Sequence, residues 1–120
     1  MWNSRFLALG LTLALASPLP AVQPGELENR GANLWAPTET VVGSWLAVAW
    51  SGPNKRGDRI TVVVAASPDD HTGRYALTRQ GNPLILPMPA APGTYEIRYL
   101  AGNGGRLLAR RGIRVIPAPP

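Results

Sequence analysis

From residue 32 onward, apolar residues come in short alternating runs broken about every ten residues by Gly, Pro, Asn or Asp, and no helical apolar period lasts three turns. Such punctuation, with 13 Gly and 13 Pro among 120 residues, leaves room for strands and turns rather than long helices. An all-β fold follows. The runs predict strands over 32–37, 44–51, 58–66, 74–78, 84–86, 93–100 and 107–116. In 44–51, Leu46, Val48 and Trp50 share one face. The 58–66 run is the strongest and is placed at the centre of its sheet, with Ile60, Val62 and Val64 facing inward and Val63 partly covering the other side. Tyr75 and Leu77 alternate in the next run, and Pro87, Pro89 and Pro92 confine the 84–86 strand to an edge. Over 93–100, Tyr95, Ile97 and Tyr99 point inward while Glu96 and Arg98 point outward. Asn103-Gly104-Gly105 marks a hairpin, and Ile113 and Val115 turn the last strand toward the core. The candidate core is therefore built on Trp50, Ile60, Val62, Tyr95, Ile97 and Tyr99.

The N-terminus follows a different rule. Arg5 precedes an uncharged, Leu- and Ala-rich segment over 6–16 that ends in Ala14-Leu15-Ala16, the order of a signal peptide with small residues at the cleavage positions. Cleavage after Ala16 is expected. Ser17, Pro18 and Pro20 interrupt the segment before the ~20 apolar residues a membrane span needs, so no transmembrane anchor is expected after processing. Residues 17–31 read as a flexible leader and 32–117 as the folded domain. The chain has no cysteine, so an exported domain of about a hundred residues must be held by its hydrophobic core alone. The expected location is the periplasm or the extracellular space.

Seven short strands at these spacings predict an immunoglobulin-like or fibronectin type III-like sandwich. Pro92-Gly93-Thr94-Tyr95 has the form of a tyrosine corner, in which the phenol bonds a nearby backbone group, and Trp50 would supply the large core ring. The absence of paired cysteines excludes a standard antibody-type domain. Taken in order, Trp50-Ser51-Gly52-Pro53, Asp58-Arg59-Ile60-Thr61-Val62-Val63 and Pro92-Gly93-Thr94-Tyr95-Glu96-Ile97-Arg98-Tyr99 resemble a bacterial extracytoplasmic β-sandwich module often appended to von Willebrand factor type A domain proteins. The resemblance covers roughly 32–117. Two positions depart from it, Leu77 where the family commonly has an aromatic residue and Gly112 where it tends to have proline. It implies a module that accompanies another envelope or secreted protein, and no known active site.

Chemistry-bearing residues are sparse. His71 is the only histidine, so a nucleophile, a base and an orienting group would have to be assembled around one loop residue, and no catalytic residue is assigned. Asp58, Asp69, Asp70 and Glu96 are candidates for paired-carboxylate chemistry, but they read as solvated charges on strands and turns. Asp69-Asp70-His71 offers too few donors for zinc or calcium, and Met88 is the only methionine left after cleavage, which is too few for copper; no metal or cofactor is expected. The net charge of +5 is carried almost wholly by arginine, with Lys55 the only lysine. Arg106, Arg110, Arg111 and Arg114 along the last strand form the candidate binding surface for an acidic envelope partner, although arginines on an edge strand also block aggregation. If Ile113 and Val115 face inward, Arg110 and Arg114 face outward, while Gly112 allows a bulge that would re-aim Arg111. Nucleic acid is not expected as a partner, because export would remove the protein from it and no aromatic residues interleave with the arginines. Trp35 and Trp45 are expected at the rim, packed against the leader; exposed together, they would suit a carbohydrate-binding sandwich. The reading is a non-catalytic module for protein–protein interaction or support in the cell envelope, with carbohydrate or cell-wall binding as the alternative.

Overall fold

Alternation along the longest runs sorts the side chains into a shared interior and two outer faces. The computed structural model describes residues 29–120, so the segment expected to be a signal peptide, 1–16, and most of the expected leader, 17–31, lie outside the described residues. The strands are β1 (Asn33–Trp35), β2 (Glu39–Val41), β3 (Trp45–Ser51), β4 (Arg59–Val64), β5 (Arg74–Leu77), β6 (Leu84–Pro87), β7 (Gly93–Leu100) and β8 (Leu107–Ile116), with one 3-10 turn at Thr78–Gln80. They form a three-stranded sheet, β1-β3-β6, and a five-stranded sheet, β2-β8-β7-β4-β5. Leu34, Leu46, Val48, Trp50, Leu84 and Leu86 from the first sheet meet Ile60, Val62, Tyr95, Ile97, Tyr99, Ile113 and Val115 from the second in one buried core. This is a β-sandwich. Proline-bearing β6 is an edge strand, as its sequence requires.

Trp50 sits at the centre of the packing. Its ring meets Tyr99 edge-on at 6.0 Å between centroids, and its Nε1 donates to the Gly81 carbonyl at 2.9 Å. Asn82 brackets the Trp50 backbone, its side-chain oxygen accepting from Trp50 N and its amide donating to Trp50 O, which continues the sheet past the end of β6. Tyr95 donates its hydroxyl to Ala91 O at 2.8 Å and ties the start of β7 to the preceding turn.

The structure differs from the sequence reading at several points. There are eight strands among the described residues, not seven, because the chain crosses after β1 to the larger sheet and β2 runs parallel to β8, with Glu39 opposite Arg114 and Val41 opposite Ile116. Three residues with one aliphatic side chain show no alternation that could announce such a strand. β4 is an interior strand, but β7 holds the middle of its sheet. Val64 is exposed, since β4 runs out of the sandwich there and Ala65 N turns to Thr94 O. Tyr75 is exposed as well, because register places Ala76 opposite inward-facing Ile60. The β7–β8 register runs unbroken through Gly112, opposite Glu96, and shifts instead at Tyr99/Leu100. Gly104 and Gly105 take positive φ in the connecting turn, a conformation that favours glycine. Arg98 has the outward parity expected of it, yet it is wholly buried.

Candidate functional site

Three places on the sandwich concentrate polar or unusual side chains, and each grows from strand parity. The first is the arginine-bearing last strand. Arg110 and Arg114 occupy the outer face of the five-stranded sheet, but Arg110 is only 18 % exposed and pairs with Asp69 Oδ1 at 2.9 Å and Glu96 Oε1 at 3.3 Å. Its cross-strand neighbour is Arg98, whose Nε bonds the same Glu96 oxygen at 2.9 Å, so one carboxylate separates two facing cations. Arg114 is well exposed and lies 3.9 Å from Glu39 on β2. Arg111 falls on the other parity and donates Nε to Ala36 O across the sandwich border. Arg106 is exposed in the turn before β8, beside an open depression it shares with Arg30, Asp69 and Leu107. The four arginines therefore do not make one patch, and two of them are committed to internal contacts.

Arg98 carries the second arrangement. The 65–73 loop folds back over the outer face of the five-stranded sheet, and the guanidinium donates from Nη1 to Pro68 O and from Nη2 to Ser67 O at 3.0 Å and Ala65 O at 3.3 Å. Arg59 Nε reaches Thr72 Oγ1, and Thr61 Oγ1 links Gly73 N to Arg74 O, closing the far end of the loop. Asp69 of the Asp69-Asp70-His71 triplet is engaged by Arg110, and among the described residues no three His, Asp or Glu side chains come together to hold a metal ion. Methionine in place of Arg98 keeps the buried stem but strips the donors from three carbonyls and Glu96. Arg98→Met is expected to lose about 2–4 kcal/mol and to raise hydrogen exchange across 65–73 before the rest of the domain. Unchanged exchange in that loop would show that the guanidinium does not hold it.

The third is a carboxylate–phenol pair at the turn before β4. Asp58 is buried; its Oδ1 accepts from Gly102 N at 2.8 Å and its Oδ2 from Lys55 N at 2.9 Å and from the Tyr99 hydroxyl at 2.7 Å. Gly102 reaches the carboxylate because it lacks a Cβ, which would collide with Arg56 O and the Gly57 backbone. Tyr99 Oη in turn accepts from Asn54 N. Burial disfavours the Asp58 anion, but the Gly102 amide, the Tyr99 hydroxyl and the Lys55 amide and charge outweigh it and hold its pKa below the ordinary value. Burial, then the bond to Asp58, pushes Tyr99 up to about 12. Every acceptor position in use faces a donor, so the pair fastens two turns together and presents no atom to a substrate.

The remaining outer face, that of the three-stranded sheet, is built differently. Parity that turns Leu46, Val48 and Trp50 inward sends Trp45, Ala47, Ala49 and Ser51 outward. Register sets Trp35 beside Ala49, Ile85 beside Ala47 and Pro87 beside Trp45, with the Asn33–Ser51 pair at one end. Trp35 is 54 %, Trp45 69 % and Ile85 52 % exposed, so the tryptophans are not packed into a rim. No charged side chain stands on these strand positions. The sequence named both tryptophans, but not Ile85 or the alanine floor between them. The signal was present in β3, which is apolar at every position from Trp45 to Trp50. Comparison of the chain with protein-family models, with curated proteins and with solved structures finds no match.

Proposed function

We propose that this protein is an exported, non-catalytic binding module of the immunoglobulin-like or fibronectin type III-like kind, acting in the cell envelope through the outer face of its three-stranded sheet. The observation that carries the reading is the pair of solvent-facing tryptophans on one uncharged sheet face. Native monomers seldom leave such rings in water, and the largest apolar patch on a small protein is often its functional one. Division of the strands into sheets of three and five, with the Tyr95–Ala91 bond at the start of β7, supports the sandwich type. The charged start and apolar run before Ala16 support export. Resemblance to modules appended to von Willebrand factor type A domain proteins supports an envelope or secreted neighbour. The basic last strand is the weaker surface, since Arg110 and Arg111 already spend donors inside the domain.

The test is retention on an insoluble envelope fraction. Trp35→Ala with Trp45→Ala is expected to abolish retention while the melting temperature moves by no more than about 3 °C, as for exposed residues. Equal retention of the double variant would remove this face as the functional one.

A further inference from the structure

We infer that the ligand of this face is a neutral, linear polysaccharide whose sugar rings stack on Trp35 and Trp45. The inference rests on the reading of that face as the binding surface. Charge is the first selector. The chain carries a net +5, yet the face has no charged side chain, so an anionic polymer would be drawn to the arginines elsewhere and gains nothing here.

Area is the second selector. Two tryptophans about half to two-thirds exposed, with Ile85 and two alanines, present on the order of 400–500 Å² of apolar surface. A specific protein interface takes about 800 Å² from each partner, a little over half of it apolar and the rest a hydrogen-bonding rim. Apart from the indole N–H groups, only Asn33 and Ser51 among the outward strand positions can serve as such a rim, so a second copy of this chain or a folded protein is poorly served. A compact small molecule is no better, because it binds by burying most of its surface in a concavity, and a sheet face offers none. An extended peptide either adds to a strand edge or, when proline-rich, sits in an aromatic-lined groove, and the outward positions of this sheet, with alanines between the two tryptophans, form neither. What fits is long, thin and flat.

Geometry completes the choice. Trp35 is paired with Ala49, and Trp45 lies four residues earlier on β3, which places the two strand positions about 14 Å apart on a diagonal. Ala47 and Ala49 keep the ground between them low. A pyranose ring offers C–H groups with partial positive charge on its flat faces, which suits the negative face of an indole, while its equatorial hydroxyls stay in water and lose no hydrogen bonds. Two platforms at that spacing engage non-adjacent rings of one chain. Asn33 and Ser51, joined at 3.5 Å beside Trp35, supply an amide and a hydroxyl for the sugar hydroxyls at that end.

The experiment titrates the full chain with soluble neutral polysaccharides, namely a β-glucan, a xylan and a galactomannan, by calorimetry and by tryptophan emission, with polygalacturonate as the anionic comparison. Binding to at least one neutral glycan is expected, unchanged between low and high salt. Trp35→Ala and Trp45→Ala should each weaken it roughly tenfold or more. Trp35→Phe and Trp45→Phe should retain part of it, because a smaller ring still stacks. Absence of binding to every neutral glycan, with envelope retention still lost in the double alanine variant, would overturn the glycan while leaving the face as a binding surface. Binding confined to polygalacturonate and abolished by salt would overturn it too, as would self-association abolished by the same substitutions. Retention indifferent to both tryptophans would instead defeat the reading on which the inference rests.

Discussion

Trp50→Ala is expected to lower stability by about 3–5 kcal/mol, the range for truncating a buried aromatic side chain, and thus to consume a large share of what holds a domain of this size. Three losses combine. The ring leaves a void beside its cross-strand neighbour Leu34 and beside Tyr99, whose edge-on contact with it disappears. Gly81 O loses its donor. No disulfide offsets either, since the chain has no cysteine. Trp50→Phe keeps one aromatic ring in the core while removing the indole N–H and the remainder of the bicycle; a smaller loss of about 1–3 kcal/mol is expected. Urea unfolding followed by far-ultraviolet dichroism measures both. A fall in melting temperature of only a degree or two for Trp50→Ala would show that the sandwich does not depend on this residue.

The parts of the fold legible in the sequence are those where alternation runs for six residues or more. β3, β7 and β8 could be read with their inward residues, because a long period-two pattern has only one parity that hides the apolar set. β2 could not, being three residues long and placed by pairing with a strand some 75 positions away, where Glu39 meets Arg114. Arg98 shows a different limit. Parity gave its direction correctly, but what it meets is the 65–73 loop, and the loop lies there in part because Arg98 supplies its donors. Neither half of that arrangement can be inferred without the other. The arginines of β8 were visible as charges, whereas their partners Glu96 and Asp69 are distant in sequence. For the tryptophan face, the sequence held Trp45, Ala47 and Ala49 in one alternation, and only register brought Trp35 and Ile85 beside them.

Asp58 differs from Glu39, Asp69 and Glu96, which face arginines, in that its donors are two backbone amides and a phenol. Gly102 N, Lys55 N and the Tyr99 hydroxyl each point a hydrogen at it, so only an acceptor on both oxygens satisfies the site. Asn is nearly isosteric but can accept on one side only and would set its own amide hydrogens against a donor. Asp58→Asn is therefore expected to lose nearly as much stability as Asp58→Ala, about 3–5 kcal/mol, and a near-native Asn variant would refute the donor count. The same geometry sets the response to pH. With its pKa held below the unfolded value of ~3.9, Asp58 contributes stability that is present above that value and fades as pH falls through the folded one. Tyr99 acts in the opposite sense. Its pKa is raised to about 12, so its contribution is complete below the unfolded value of ~10 and is lost as pH climbs from there toward 12, when the unfolded chain ionises and the folded one resists. Ionising it in place would set a phenolate 2.7 Å from the Asp58 carboxylate. Over that alkaline window the protein should lose roughly 2–3 kcal/mol through this residue. Tyr99→Phe, less stable at neutral pH because Asp58 and Asn54 N each lose a partner, should lack this component of the alkaline slope. The two proteins differ only at this hydroxyl, so the difference between their stability curves from pH 9 to 12 isolates Tyr99, and parallel curves would show that its hydroxyl is not held by Asp58.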